Sequence, residues 1–224
     1  MKLVATESGR TLQLLVHDEI RPLRGYDLPT MFQKVAARYG FLKAPNAIEG
    51  FSQATGARFE NGRFQAPGGS GEIPIPELSL FNDGIIAAAA DTNLASLIIN
   101  EVLEWLISIE AIRRPETVRP QTHTSTLVVQ FEKRASDKLD SLLTITTRFG
   151  NAVLEHRGSG YATHFDRLGF AAESDAGPQS RLLFSLERRK NGTPVQDRFW
   201  STAPLPYASH VALLEEIEAD LVRS

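Results

Sequence analysis

Between Leu94 and Ile112 the chain carries Leu94, Leu97, Ile98, Val102, Leu103, Trp105, Leu106, Ile107 and Ile109, against a narrow polar line of Asn100, Glu101, Glu104 and Ser108. Side chains three and four apart share one face of a helix, so the pattern predicts a helix that is apolar round most of its circumference. Such a helix has to be covered on several sides, by a sheet and a second helix or by another subunit. Asp91, Thr92 and Asn93 stand just before it, and each can accept a hydrogen bond from the free N–H groups of a first turn. Asn100, Glu101, Glu104 and Glu110 argue against a membrane span.

The cover for this helix is sought in the flanking segments. Glu77–Phe81 and Ile85–Ala90 read as a hairpin closed around Asn82-Asp83-Gly84, because these turn formers sit between apolar runs. Lys2–Thr6 and Thr11–His17 read as a first hairpin around Ser8-Gly9. Arg58–Phe64 reads as a third, with Asn61-Gly62 supplying the positive φ angles of its turn. Ile73-Pro74-Ile75-Pro76 is not expected in a central strand, since neither proline has an N–H to donate. Pro29–Tyr39 is expected to be helical. Leu28, Met31, Phe32, Val35, Ala36 and Tyr39 form one face, Asp27 stands at the cap, and Pro29 suits the first turn.

Arg113–Gln121, with its two prolines and three arginines, marks a boundary. Beyond it a strand at Ser125–Lys133 precedes a helix from Asp137 to about Glu155 capped by Ser136. Three strands follow, Ala162–Phe170, Arg181–Arg189 and Gln196–Ser201, the last two joined through Asn191-Gly192. A final helix is capped by Ser209, with Leu213, Leu214, Ile217 and Leu221 inward and Glu215, Glu216, Glu218 and Asp220 outward. The expected class is α+β: antiparallel hairpins forming a sheet, with about four helices packed against it. Residues 1–224 form either a single domain or two intimately packed halves, 1–114 and 120–224. Each half ends with a turn-closed hairpin, a capped start and a long apolar helix, but the two show no clear sequence match.

Composition narrows the chemistry. The 224 residues include no cysteine, which excludes disulfides, thiolate nucleophiles and cysteine zinc sites. A net charge of −3 gives no global attraction to nucleic acid. Met1–Arg10 lack the basic start and apolar run of a secretory signal, and cytoplasmic placement is the expectation.

The strongest metal-like spacing is His164 and Asp166, which fall on one face of a strand, with Glu155 and His156 nearby. Glu187, followed by Arg188, Arg189 and Lys190, resembles a carboxylate–lysine strand end, and its alternative is an edge strand guarded by charge. Arg113 and Arg114 with Arg119, and Arg188, Arg189 and Lys190 with Arg198, are the basic clusters that could contact phosphate or a partner. Trp200 lies beside the second and could stack on a base. His17-Asp18-Glu19 and His123-Thr124-Ser125 place a base next to a carboxylate or hydroxyl. Pro67–Gly71 could cradle a phosphate but has prolines after it in place of a helix.

No motif names a reaction. The leading expectation is a non-enzymatic protein that binds a macromolecule or assembles with itself, without a cofactor. The alternatives are a metal-assisted enzyme on a phosphate-containing substrate using His164, Asp166 and Glu187, and a nucleic-acid-binding protein using the arginine clusters.

Overall fold

Where a hairpin is expected at the start of the chain, a single strand runs unbroken, β1 (Lys2–Leu14). Gly9 is not a turn residue. In the computed structural model, which describes residues 1–23, 25–45, 56–65, 71–141, 167–172, 182–188 and 198–223, a side chain built on Gly9 would have its Cβ 2.0 Å from the Asp91 carbonyl carbon and 2.1 Å from the Thr92 nitrogen. The glycine therefore serves the close passage of two backbones.

After β1 come α1 (His17–Ile20), α2 (Leu28–Tyr39), β2 (Ala57–Gln65), β3 (Glu72–Phe81), β4 (Gly84–Ala89) and α3 (Thr92–Ser108). Then follow β5 (Thr122–Gln130), α4 (Lys133–Ser141), β6 (Arg167–Ala172), β7 (Leu182–Arg188), β8 (Arg198–Ala203) and α5 (Tyr207–Arg223). The architecture is α+β, with an eight-stranded antiparallel sheet in the order β2-β3-β4-β1-β5-β8-β7-β6. Among the described residues, and apart from the short α1, each half of the chain reads strand, helix, three strands, helix.

The chain forms two compact units. The first holds Met1–Glu7, Thr126–Pro204 and Ala208–Ser224, and the second holds Ser8–Ser125 and Leu205–Tyr207. β1 and β5 thus each pass from one unit into the other partway along their length.

In the second unit the expected β3–β4 hairpin is present, pairing Phe81 with Gly84 across Asn82-Asp83. The expected hairpin at Asn61-Gly62 is not: β2 runs straight through it, pairing Glu60 with Glu77 and Gly62 with Ile75. Asn61 does take the positive φ, 58°, but inside the strand. Gly62 leaves room for the Phe41 ring, which a Cβ would meet at 2.4 Å. The proline segment is likewise part of β3, a strand lying between two others. Its pairing reconciles this, since β4 meets β3 only from Glu77 onward, while Pro74 pairs with Arg63 on the β2 side alone. The missing N–H groups fall where one side of β3 has no β4 partner.

α2 and α3 form as their patterns require. Asp27 accepts from Thr30 N at 3.3 Å and Gly40 closes α2 at φ 57°. Asp91 accepts from Asn93 N at 2.8 Å and Leu94 N at 2.9 Å. The two helices share one core with the strands, in which Phe32, Val35, Phe59, Leu78, Ile98, Ile99 and Val102 are buried. Tyr39, also buried, donates its hydroxyl to Glu101, whose carboxylate also receives Arg38.

In the first unit Leu127, Val129, Phe131, Leu139, Leu186, Phe199 and Leu214 are buried. Ser136 and Ser209 lie within α4 and α5 and do not stand at their caps. α5 begins two residues before Ser209, at Tyr207, where Pro206 precedes it and the Tyr207 N–H donates to Thr92 Oγ1 at 2.9 Å. Glu218, expected outward, is buried. Its carboxylate accepts from Glu132 N at 2.7 Å and meets the Met1 ammonium group. The expected Asn191-Gly192 turn and the remainder of the helix after Ser141 lie outside the described residues.

Gly9→Ala is expected to cost more than about 2 kcal/mol in urea denaturation, because backbone on both sides would have to move. Gly169→Ala, a strand glycine whose added Cβ would meet only the Phe184 carbonyl at 3.6 Å, is expected to fall within about 1 kcal/mol of the parent. Equal costs at the two positions would contradict the close passage.

Candidate functional site

An opening of about 860 Å³ in the second unit lies between the start of α2 and the end of α3. Pro22, Leu23 and Gly25 form the break before α2, with Gly25 N donating to Pro22 O at 2.9 Å and Gly25 at φ 77°. Leu23 is 95% exposed at the lip. Met31, Ile107, Ile109 and Ala111 supply apolar lining, and Asp27, Lys34, Glu110, Arg113 and Arg114 charged groups of both signs.

The far wall depends on how α3 ends. The helix stops at Ser108, short of the expected Ile112, because the chain reverses there. Ala111 N donates to Leu106 O and Glu110 N to Ile107 O, each at 3.0 Å. This is a Schellman closure, and the residue that must take the left-handed conformation is Glu110, at φ 56°, where glycine is the usual occupant. Arg113 N then donates to Ile20 O at 2.8 Å, and the Glu19 carboxylate receives Glu116 N and Thr117 N at 3.0 and 2.9 Å. Bonds from the Thr117 backbone and hydroxyl hold Glu19 below the usual carboxylate range. Arg114 forks onto Glu104 at 2.9 and 2.7 Å, which lowers the Glu104 carboxyl in the same way.

Met31 and Ile112 also line a second, smaller cavity of about 200 Å³. Its walls are mainly carbon: Leu15, Ile20, Leu28, Leu80, Ile85 and Leu106. Three residues bring polar atoms. His17 Nδ1 donates to the Asn82 carbonyl at 2.9 Å, and its ring lies 5.9 Å from that of Tyr26. The Tyr26 hydroxyl is buried and has no hydrogen-bond partner among the described residues. Burial raises its pKa above the ordinary tyrosine value, so it remains a neutral donor.

Of the candidates from sequence, Arg113 and Arg114 line the cleft. Arg198, Trp200, Glu187 and Arg188 belong to the first unit. There Glu187 lies opposite both Arg167 and Trp200 in register and pairs with Arg167 at 3.0 Å. Arg188 sits over the Phe199 ring at 5.5 Å, and Trp200 is 43% exposed. His164, Asp166, Arg189 and Lys190 lie outside the described residues, as do Glu155, His156 and Pro67–Ser70. Among the described residues no group of three or more His, Asp or Glu is placed to hold a metal ion.

His123 Nδ1 lies 3.1 Å from Thr11 Oγ1 in a partly buried contact, and desolvation lowers the His123 pKa. A second His–hydroxyl pair was not visible in the sequence. His210 Nε2 lies 2.9 Å from Ser201 Oγ, both side chains fully buried. Ser201 Oγ also lies 3.1 Å from the Ser185 carbonyl, to which it can donate. No motif links Ser201 on a strand with His210 on a helix. Tyr26 likewise carried no signal, because an unmet hydroxyl is visible only once its surroundings are.

Two outcomes are expected. Burial lowers the His210 pKa from 6.5 to about 4, so the unfolded chain binds a proton that the folded chain refuses between these values. Stability contributed by the neutral ring is intact above the unfolded value and is lost as pH falls, up to about 2 kcal/mol between pH 7 and pH 5. Urea midpoints should show that loss, and His210→Gln should remove most of it; an unchanged slope would exclude His210 as its source. Separately, Glu110→Gly should raise stability by about 0.5–1 kcal/mol through relief of the left-handed strain. A destabilised Glu110→Gly protein would show that the carboxylate has a structural partner.

Comparison with known proteins finds no matching family model, no matching curated protein and no matching solved structure.

Proposed function

We propose that this is a non-enzymatic binding protein that assembles with itself, a second copy seating on the cleft between α2 and the end of α3. The observation that carries the reading is Leu23, a leucine 95% exposed at the edge of an opening of about 860 Å³. An apolar floor of Met31, Ile107, Ile109 and Ala111 inside a charged rim has the anatomy of an interface, with a dry centre and a polar periphery. The rim supports a like partner. Lys34 and Arg113 share the lining with Asp27 and Glu110, so two copies related by a two-fold axis can set each charge against its opposite.

The strained Glu110 supports the same reading. Backbone held at positive φ by a residue other than glycine concentrates where a side chain is needed for recognition. The absence of cysteine fits the cytoplasm, where the proposed assembly would form.

Sedimentation velocity across a concentration series tests this. The parent chain is expected to show a concentration-dependent dimer, and Leu23→Asp to weaken it by roughly tenfold or more, as placing a charge on an exposed apolar contact does. Lys34→Glu should weaken it less, with a smaller salt dependence. A parent that sediments as a monomer throughout, or a dimer indifferent to Leu23→Asp, would rule out this surface.

A further inference from the structure

Two anomalies coincide in the inner cavity, and they stand whether or not copies associate through the cleft. Protein interiors pack closely, with few voids larger than a water molecule. Here a pocket of about 200 Å³, partly open to solvent, lies among aliphatic side chains of β3, β4, α2 and α3. Buried hydroxyl groups are normally paired. Here the Tyr26 hydroxyl in the same wall has no partner among the described residues.

We propose that the cavity is a binding site for a small, neutral, mostly apolar molecule, about the size of one aromatic ring, that accepts a hydrogen bond from Tyr26. The volume sets the size, since a dry apolar cavity of about 150 Å³ is known to hold benzene. The lining sets the polarity. Among the described residues no lysine, arginine, aspartate or glutamate borders the cavity, so an ion would enter without a counter-charge. Tyr26 sets the functional group. A tyrosine hydroxyl kept neutral by burial donates, so its complement is a carbonyl or ether oxygen. Water is a poorer occupant, because an ordered buried water needs two to four polar partners. The His17 ring nitrogen Nδ1 is already engaged with the Asn82 carbonyl. His17 also offers a ring beside Tyr26, against which a flat ligand can pack.

The pocket is partly open to solvent, so a ligand can enter directly, and the cleft adjoins it. Met31 and Ile112 border both spaces, and methionine, unbranched and with several rotatable bonds, is suited to moving aside. Binding makes and breaks no covalent bond; it fills the void and gives the hydroxyl its acceptor.

The test uses two probes of similar size, acetophenone, which carries a carbonyl, and ethylbenzene, which does not. Each is titrated into the full chain while the methyl resonances of Leu15, Ile85 and Leu106 are followed by NMR. Saturable shifts at these methyls are expected with both probes. Tyr26→Phe is expected to weaken acetophenone about fivefold to tenfold, the scale of one hydrogen bond, and to leave ethylbenzene within about twofold. Retained ethylbenzene binding shows that the variant keeps its cavity. Absence of saturable shifts with acetophenone in the parent chain would overturn the site, and acetophenone affinity unchanged in Tyr26→Phe would overturn the role of the hydroxyl.

Discussion

The passage of β1 beneath the start of α3 is the contact on which much of the second unit depends. Gly9 admits the Asp91–Thr92 backbone at a distance that no side chain would allow. Every group at that crossing is then used. The Asp91 carboxylate caps α3, the Thr92 carbonyl accepts from the hydroxyls of Thr11 and Ser96, and Thr92 Oγ1 accepts from the first N–H of α5. Thr92 is itself buried, so each of these bonds replaces water that cannot reach it. The wide apolar surface of α3 is covered because its first turn is anchored here, with the helix laid against β4 and α2.

Much of the fold was legible in the chain, and the places where it was not share a cause. The patterns of α2 and α3, their caps at Asp27 and Asp91, and the turn at Asn82-Asp83 follow from local preference, and no tertiary contact opposes it. Ser8-Gly9 and Asn61-Gly62 carry the same turn grammar but sit inside strands. In both, the glycine answers to something distant in sequence, the Asp91 backbone in one case and the Phe41 ring in the other. Pro74 and Pro76 misled for a related reason, since their effect depends on which side of β3 has a neighbour. Glu218 looked like one more surface acid because its acceptors are wanted by Glu132 and the chain's amino group, both remote from it in sequence.

The site was less legible than the fold. Arg113 and Arg114 drew notice as a basic cluster, whereas their place is on the rim of a cleft whose floor is apolar. Glu187, weighed as a catalytic carboxylate, is held by Arg167 across the β6–β7 pairing. The groups on which the proposed sites rest, Leu23, Tyr26 and Glu110, have no signature in one dimension. A leucine draws attention only when it is found in water, a hydroxyl only when it is found alone, and a glutamate only when its backbone takes a glycine's shape.

The course of β1 and β5 bears on how such a chain can be divided. β1 changes unit between Glu7 and Ser8, and β5 between Ser125 and Thr126, so each half of the sequence lends a length of strand to the unit built mostly from the other. A cut in the proline-containing loop Arg113–Gln121 would look natural from composition, yet it would leave two fragments that each need the other's strand to close their hydrogen bonds. A cut in that loop would separate Met1–Glu7 from the rest of the first unit and Thr122–Ser125 from most of the second.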